Sequence, residues 1–168
     1  MQARLIPHPE TPSMFVDGVD VQIERDGLLL WLRYTIGGDP SGIIWPGTAE
    51  PGRTDDLWRH TCFEAFVATG EGYVEYNLSP SGRWASYRFD RPRTGMREAD
   101  EAAVVLGMDE AFDQMALEAR LEVPFGAKAL GLSCVIEHRD GTFSYWALAH
   151  PSAKPDFHHP DSFVLELP

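Results

Sequence analysis

Glu64, Glu75, Asn77, Trp84 and Arg88 fall close together in the chain, and their types suit one task. Carboxylates, an amide and a guanidinium group can bond the hydroxyls of a sugar-like ligand, while an indole stacks on the apolar face of its ring. The two acids also raise a catalytic alternative, because glycoside hydrolysis runs on a pair of carboxyl groups across a cleft. Two acids on one solvated sheet face are common, however. The sequence contains no GxSxG elbow, HExxH helix or CxxC pair. These residues favour binding without catalysis.

The elements that would position them read as three antiparallel strands, LWRHTCFEAFVATGEGYVEYNLSPSGRWASYRF (57–89), joined by the turns TGEG and SPSG. Pairing across those turns sets Ala68 opposite Tyr73, Glu64 opposite Asn77, Leu78 opposite Arg83 and Asn77 opposite Trp84. Side chains alternate between faces along a strand. One face then collects Phe63, Ala65, Val67, Val74, Tyr76, Leu78, Ala85, Tyr87 and Phe89, a core face. The other collects Glu64, Glu75, Asn77, Trp84, Ser86 and Arg88, with Cys62 and Phe66 among them. A later hairpin, Leu130–His138 with Phe143–His150 around Arg139-Asp140-Gly141, places Trp146 with Ser133, Glu137, Ser144 and His150. Trp146 or His150 would close the site from a neighbouring strand.

The chain has 168 residues, the size of one domain spanning 1–168, with 43% hydrophobic and 24% charged residues. Its net charge of −12 argues against nucleic acid and against anionic lipid surfaces, both of which need a positive face. No segment approaches the ~20 apolar residues of a spanning helix. No apolar run of signal-peptide length opens the sequence, so a cytoplasmic location is the expectation. Cys62 and Cys134 sit inside apolar strands and read as buried thiols; whether they pair is left open.

Strand-sized runs bounded by turn signals continue along the chain. Val19–Arg25 and Leu28–Ile36 form a hairpin around Asp26-Gly27, and Met115–Val123 alternates apolar with polar residues. The stretch 90–113 reads as a long connection with one short strand or turn of helix. A Pro/His loop, HPSAKPDFHHPDS, leads to a last strand at Phe163–Leu167. The pattern predicts an all-β fold, an antiparallel immunoglobulin-like or jelly-roll sandwich of about 8–10 strands, with a closed barrel as alternative. No metal site is assigned. The His158-His159 pair points in opposite directions if extended, and neither Asp55-Asp56 nor Asp17/Asp20 has the spacing of a calcium loop.

The segments DLWRHTCFEAFVA (56–68), YVEYNLSPSGRWASYRFD (73–90) and KPDFHHPDSFVLEL (154–167) resemble the DOMON-like group related to family 9 carbohydrate-binding modules. That resemblance implies a β-sandwich binding sugars or haem without catalysis. The group usually works outside the cytoplasm or attached to an enzyme, unlike the location expected above. Its haem-binding branch uses Met and His as axial ligands, onto which Met96, His60 and His138 map only loosely, so no haem ligand is carried over. The sugar-clamping Trp pair of the carbohydrate modules corresponds at most to Trp84 and Trp58. A member that had lost its ligand would remain a protein-interaction module.

Overall fold

A computed structural model describes residues 1–111 and 113–167. Among these residues there are ten strands of five or more residues and three of two residues. In order they are β1 (Gln2–Pro7), β2 (Val16–Asp26), β3 (Leu29–Gly38), β4 (Gly52–Arg53), β5 (Cys62–Thr69), β6 (Gly72–Leu78) and β7 (Arg83–Phe89). They continue with β8 (Arg97–Glu98), β9 (Ala103–Ala111), β10 (Gln114–Glu122), β11 (Ala129–Glu137), β12 (Phe143–Ala147) and β13 (Leu165–Glu166). Pairing is antiparallel except between β4 and β7. The fold is an all-β sandwich, and no helix among the described residues is long and apolar enough to cross a membrane.

Two layers are joined at a corner. The first sheet runs β1-β2-β3-β10-β9 and the second β4-β7-β6-β5-β11-β12. β1 belongs to both: Gln2–Leu5 pair with β2, then Ile6 and Pro7 pair with β12. The core between the layers takes Val19, Val21 and Ile23 from β2, Leu30, Leu32 and Tyr34 from β3, and Phe63, Ala65 and Val67 from β5. Two tyrosines cross it and satisfy their hydroxyls on backbone, as buried phenols require. Tyr34 donates to the Glu64 carbonyl at 2.7 Å, and Tyr76 donates to the Glu122 carbonyl.

β1 has only Leu5 buried, and β9 (103–111), an edge strand, is mostly exposed. Such strands carry little alternation, which is why the sequence reads no strand at 2–7 and too short a one in 90–113.

Two hairpins depart from the expected register by one residue, for a shared reason. In the β6–β7 turn Ser79 N–H donates to Arg83 O and Gly82 N–H to Ser79 O, leaving a three-residue loop, Pro80-Ser81-Gly82. In the β11–β12 turn His138 N–H donates to Thr142 O and Gly141 N–H to His138 O, giving Arg139-Asp140-Gly141. Gly82 (φ 93°) and Gly141 (φ 85°) hold the left-handed conformation that closes such loops. Leu78 therefore pairs with Trp84 rather than Arg83, Asn77 with Ala85 rather than Trp84, and Cys134 with Trp146. A one-residue slip sends every side chain of the strand to the other face.

Candidate functional site

The slip rebuilds the site. Trp84, Ser86 and Arg88 turn inward, away from Glu64, Glu75 and Asn77, while Ala85, Tyr87 and Phe89 leave the expected core face and join the acids. Trp84 is partly buried against the inter-sheet core, with the Arg53 guanidinium 4.7 Å above its ring. Arg88 is ion-paired with Glu101. Trp146 is also a core residue, its indole N–H donating to Ser144 Oγ at 3.0 Å. Trp84, Arg88 and Trp146 thus face the interior and do not share a surface with the acids. His150 lies to one side, its ring 2.9 Å from the Ile6 carbonyl and edge-on to His8.

The outer face of the second sheet is covered by the C-terminal strap, residues 150–163. Phe157 packs there in a second apolar cluster with Phe66, Tyr73, Tyr87 and Phe89. Phe163 stacks on Phe66 at 5.7 Å between centroids. Phe157 thus joins this outer cluster instead of the inter-sheet core. Beside the strap a cavity of about 640 Å³ remains open, within the range of small-molecule sites. Glu64 and Glu75 line it, together with six aromatic rings: Trp58, Tyr87, Phe89, Phe143, Tyr145 and Phe157.

Both acids are buried, at 4% and 6% exposure. Burial is the main cause holding the Glu64 carboxyl well above its ordinary range, with the nearby Glu75 adding to it. Burial likewise pushes Glu75 up to about 7, against the Asn77 hydrogen bond that lowers it. Glu75 is held from below: Asn77 Nδ2 donates to its Oε1 at 2.8 Å, and His158 Nε2 lies 3.6 Å from its Oε2. The Arg93 amide donates to the Tyr73 oxygen at 3.3 Å, and that hydroxyl is hydrogen-bonded to His158 Nδ1 at 2.7 Å. Burial first, then the Arg93 charge, lowers His158 to about 4, so its ring is neutral at pH 7.

Two rim loops carry the more exposed groups. Trp58, 50% exposed, sits on the short 3-10 turn Leu57–Arg59, and Tyr87 donates to Asp55 to pin that loop to the cavity floor. Arg59 ion-pairs with Asp56 at 3.2 Å, and Arg93 with Asp156 at 2.9 Å. Asp56 (φ 61°) and Arg93 (φ 56°), the non-glycine residues of left-handed backbone among those described, both belong to these loops. Strained backbone of that kind gathers at ligand clamps.

Of the residues that line this cavity, Glu64 and Glu75 were among those expected to bind a ligand, whereas Tyr87, Phe89, Arg93 and His158 were not. The missed sign was glycine as third loop residue in PSG and RDG, which fixes the register. The rest come together only through tertiary folding. Met96 lines the same cavity as His158, but both ring nitrogens of His158 are engaged. His60 Nδ1 is 2.8 Å from Glu137, and His138 Nε2 is 2.9 Å from Ser144 Oγ. Among the described residues no three His, Cys, Asp or Glu side chains gather around a metal position. Cys62 and Cys134 are both free thiols, pointing to opposite faces of the second sheet.

No protein-family model and no curated protein matches the chain. Among solved structures it is similar to a crystal structure from Bacteroides uniformis ATCC 8492 described as a "putative carbohydrate-binding protein". The two share 16% identity and a TM-score of 0.64, over 97% of this chain and 84% of that one. That likeness is one of fold.

Proposed function

We propose that this chain is a non-catalytic binding domain for a carbohydrate-like small molecule, which occupies the cavity over the outer face of the second sheet. The observation that carries this reading is a pair of buried carboxyl groups sharing one cavity with six aromatic rings, one of them the half-exposed Trp58. Rings give a pyranose its stacking surface, and the acids with Arg93 give its hydroxyls directional partners. The similar structure described as carbohydrate-binding and the motif resemblance to DOMON-like domains support the same class.

Glu64 and Glu75 form the floor of the proposed site, Asn77 orients Glu75, and Trp58 supplies the stacking platform in place of Trp84. A sugar-library binding screen tests it. Trp58→Ala is expected to weaken binding ~10-fold or more, the scale of one lost stacking contact. Trp31→Ala, on the outer face of the first sheet, is expected to leave binding unchanged. Equal binding by native protein and Trp58→Ala would place the ligand elsewhere.

A further inference from the structure

The charges around the cavity are not evenly matched. At the rim, Arg59 and Arg93 already have Asp56 and Asp156 as partners. On the floor, Glu75 has Asn77 and the neutral His158. Glu64 has less. Its backbone carbonyl accepts from Tyr34, but among the described residues no hydrogen bond or ion pair reaches its carboxylate. Its cross-strand neighbour Ser133 is buried with a hydroxyl that lacks a partner. A carboxyl group buried without a partner costs stability, and a neutral hydroxylated ligand brings no charge to offset it.

We infer that the cavity selects a ligand carrying a protonated amine, with Glu64 as its counter-ion and the surrounding rings as an aromatic cage. Resting on the carbohydrate reading above, the ligand class is an amino sugar. Cations are attracted to the faces of Trp and Tyr rings, most strongly where water is excluded. Trp58, Tyr87 and Tyr145 line the cavity with the acid, and the Trp58 ring already holds a cation, the Arg59 guanidinium 5.3 Å from its centroid. An anionic ligand fits poorly, since both rim guanidinium groups are taken and both floor groups are acids. The raised Glu64 carboxyl adds a proton linkage: a bound ammonium stabilises the carboxylate and expels its proton. The charges acting on Glu64 in this linkage are Glu75 from β6, which raises it, and Arg93 from the rim, which lowers it; Arg59 and His158 line the same cavity.

Calorimetric titration with glucosamine, glucose, N-acetylglucosamine and tetramethylammonium tests the inference. The three sugars differ at one position, as amine, hydroxyl and neutral amide. Glucosamine is expected to bind ~10-fold or more tighter than both neutral sugars, about one strong cation contact. Glu64→Gln should abolish that advantage. In the native chain the advantage should shrink as pH falls and the raised Glu64 carboxyl takes up its proton. Should Glu64→Gln fail to fold, weakening of tetramethylammonium binding as pH falls carries the test, because the charge of that ligand does not titrate. Glucose or N-acetylglucosamine binding as tightly as glucosamine overturns the amine inference and leaves the carbohydrate reading standing. Tetramethylammonium binding that needs Glu64, with no sugar bound, supports the cation site and sinks the sugar reading. Binding of none of the four overturns both.

Discussion

The two sheets of this sandwich bury their strands differently. In β2 and β3 buried and exposed positions alternate almost without break, because the first sheet has its core on one side and water on the other. In β5, β6 and β11 nearly every position is buried, because the strap and the rim loops form a layer over the outer face of the second sheet. Position on an outward face therefore means opposite things in the two halves. Arg33, on the outer face of the first sheet, pairs with Asp109 and Glu118 in the open. Glu64 and Glu75 occupy the corresponding face of the second sheet and are largely buried there. A groove of about 740 Å³ also crosses the first sheet, but no aromatic ring lines it and its arginines are ion-paired. The difference teaches that the covering layer, more than concavity, makes a surface suited to a ligand.

The largest effect expected from that difference is on stability. Phe66 is buried on the covered face, against Phe163, Tyr73 and His158. Phe66→Ala is expected to cost ~3–5 kcal/mol, the usual cost of deleting a buried ring. Thr35→Ala, on the outer face of the first sheet, should change stability by no more than ~0.5 kcal/mol. Urea denaturation of both variants checks the pair. Similar small losses for both would mean that the strap does not pack on the second sheet in solution.

The next effect is a pH dependence confined to the covered face. Between the ordinary values of 4.5 for a glutamate and 6.5 for a histidine, the unfolded chain holds Glu75 ionised and His158 protonated. The folded chain, with Glu75 raised to about 7 and His158 lowered to about 4, holds the reverse. Each state binds one proton on the pair, so the pair adds no slope in that window. Glu64 has no such partner. Its raised folded pKa means that the native state holds a proton the unfolded state has lost. Its contribution is therefore fully present below about pH 4.5 and is lost as pH rises. Relative to native protein, Glu64→Gln should gain up to ~1.4 kcal/mol of stability per pH unit across the window, one proton's worth of linkage. His158→Gln should change in the opposite direction, losing stability with rising pH because Glu75 is then uncompensated. Thermal melts at several pH values measure both. A Glu64→Gln difference that is flat with pH would mean that Glu64 is ionised in the folded state.

In the first sheet β2, β3 and β10 were legible in the sequence while the outer strands β1 and β9 were not; in the second the long strands were legible but part of their register was not. The β2–β3 hairpin shows itself through alternation and Gly27, and the β5–β6 pairing of Ala68 with Tyr73 follows from its short turn. Glu64 and Glu75 stood out as acids inside apolar strands. Arg93, Asp156 and His158 could not be placed beside them, since contacts across that much sequence are set by tertiary folding. Tyr87 and Phe89 were assigned to the wrong side because apolar residues satisfy either face of a sheet covered on both. There hydrophobic pattern does not fix register, and the turn must.

The smallest expected effect tests that turn. Gly141 has φ 85°, and a methyl group added to it would meet no atom within 4 Å. Gly141→Ala should therefore cost only the left-handed conformation, ~1–2 kcal/mol, with no clash added. Gly141→Asn should recover part of the loss, because asparagine tolerates that conformation better than other side chains. Chemical denaturation of the three proteins gives the order Gly, Asn, Ala if the loop is Arg139-Asp140-Gly141. A cost-free alanine would mean that residue 141 is not left-handed. The loop would then have another length, β12 would slip by one residue, and Trp146 would turn from the core to the covered face. The covered face would gain a second indole, and the contrast between the two sheets would have to be redrawn around Trp146 instead of Trp58.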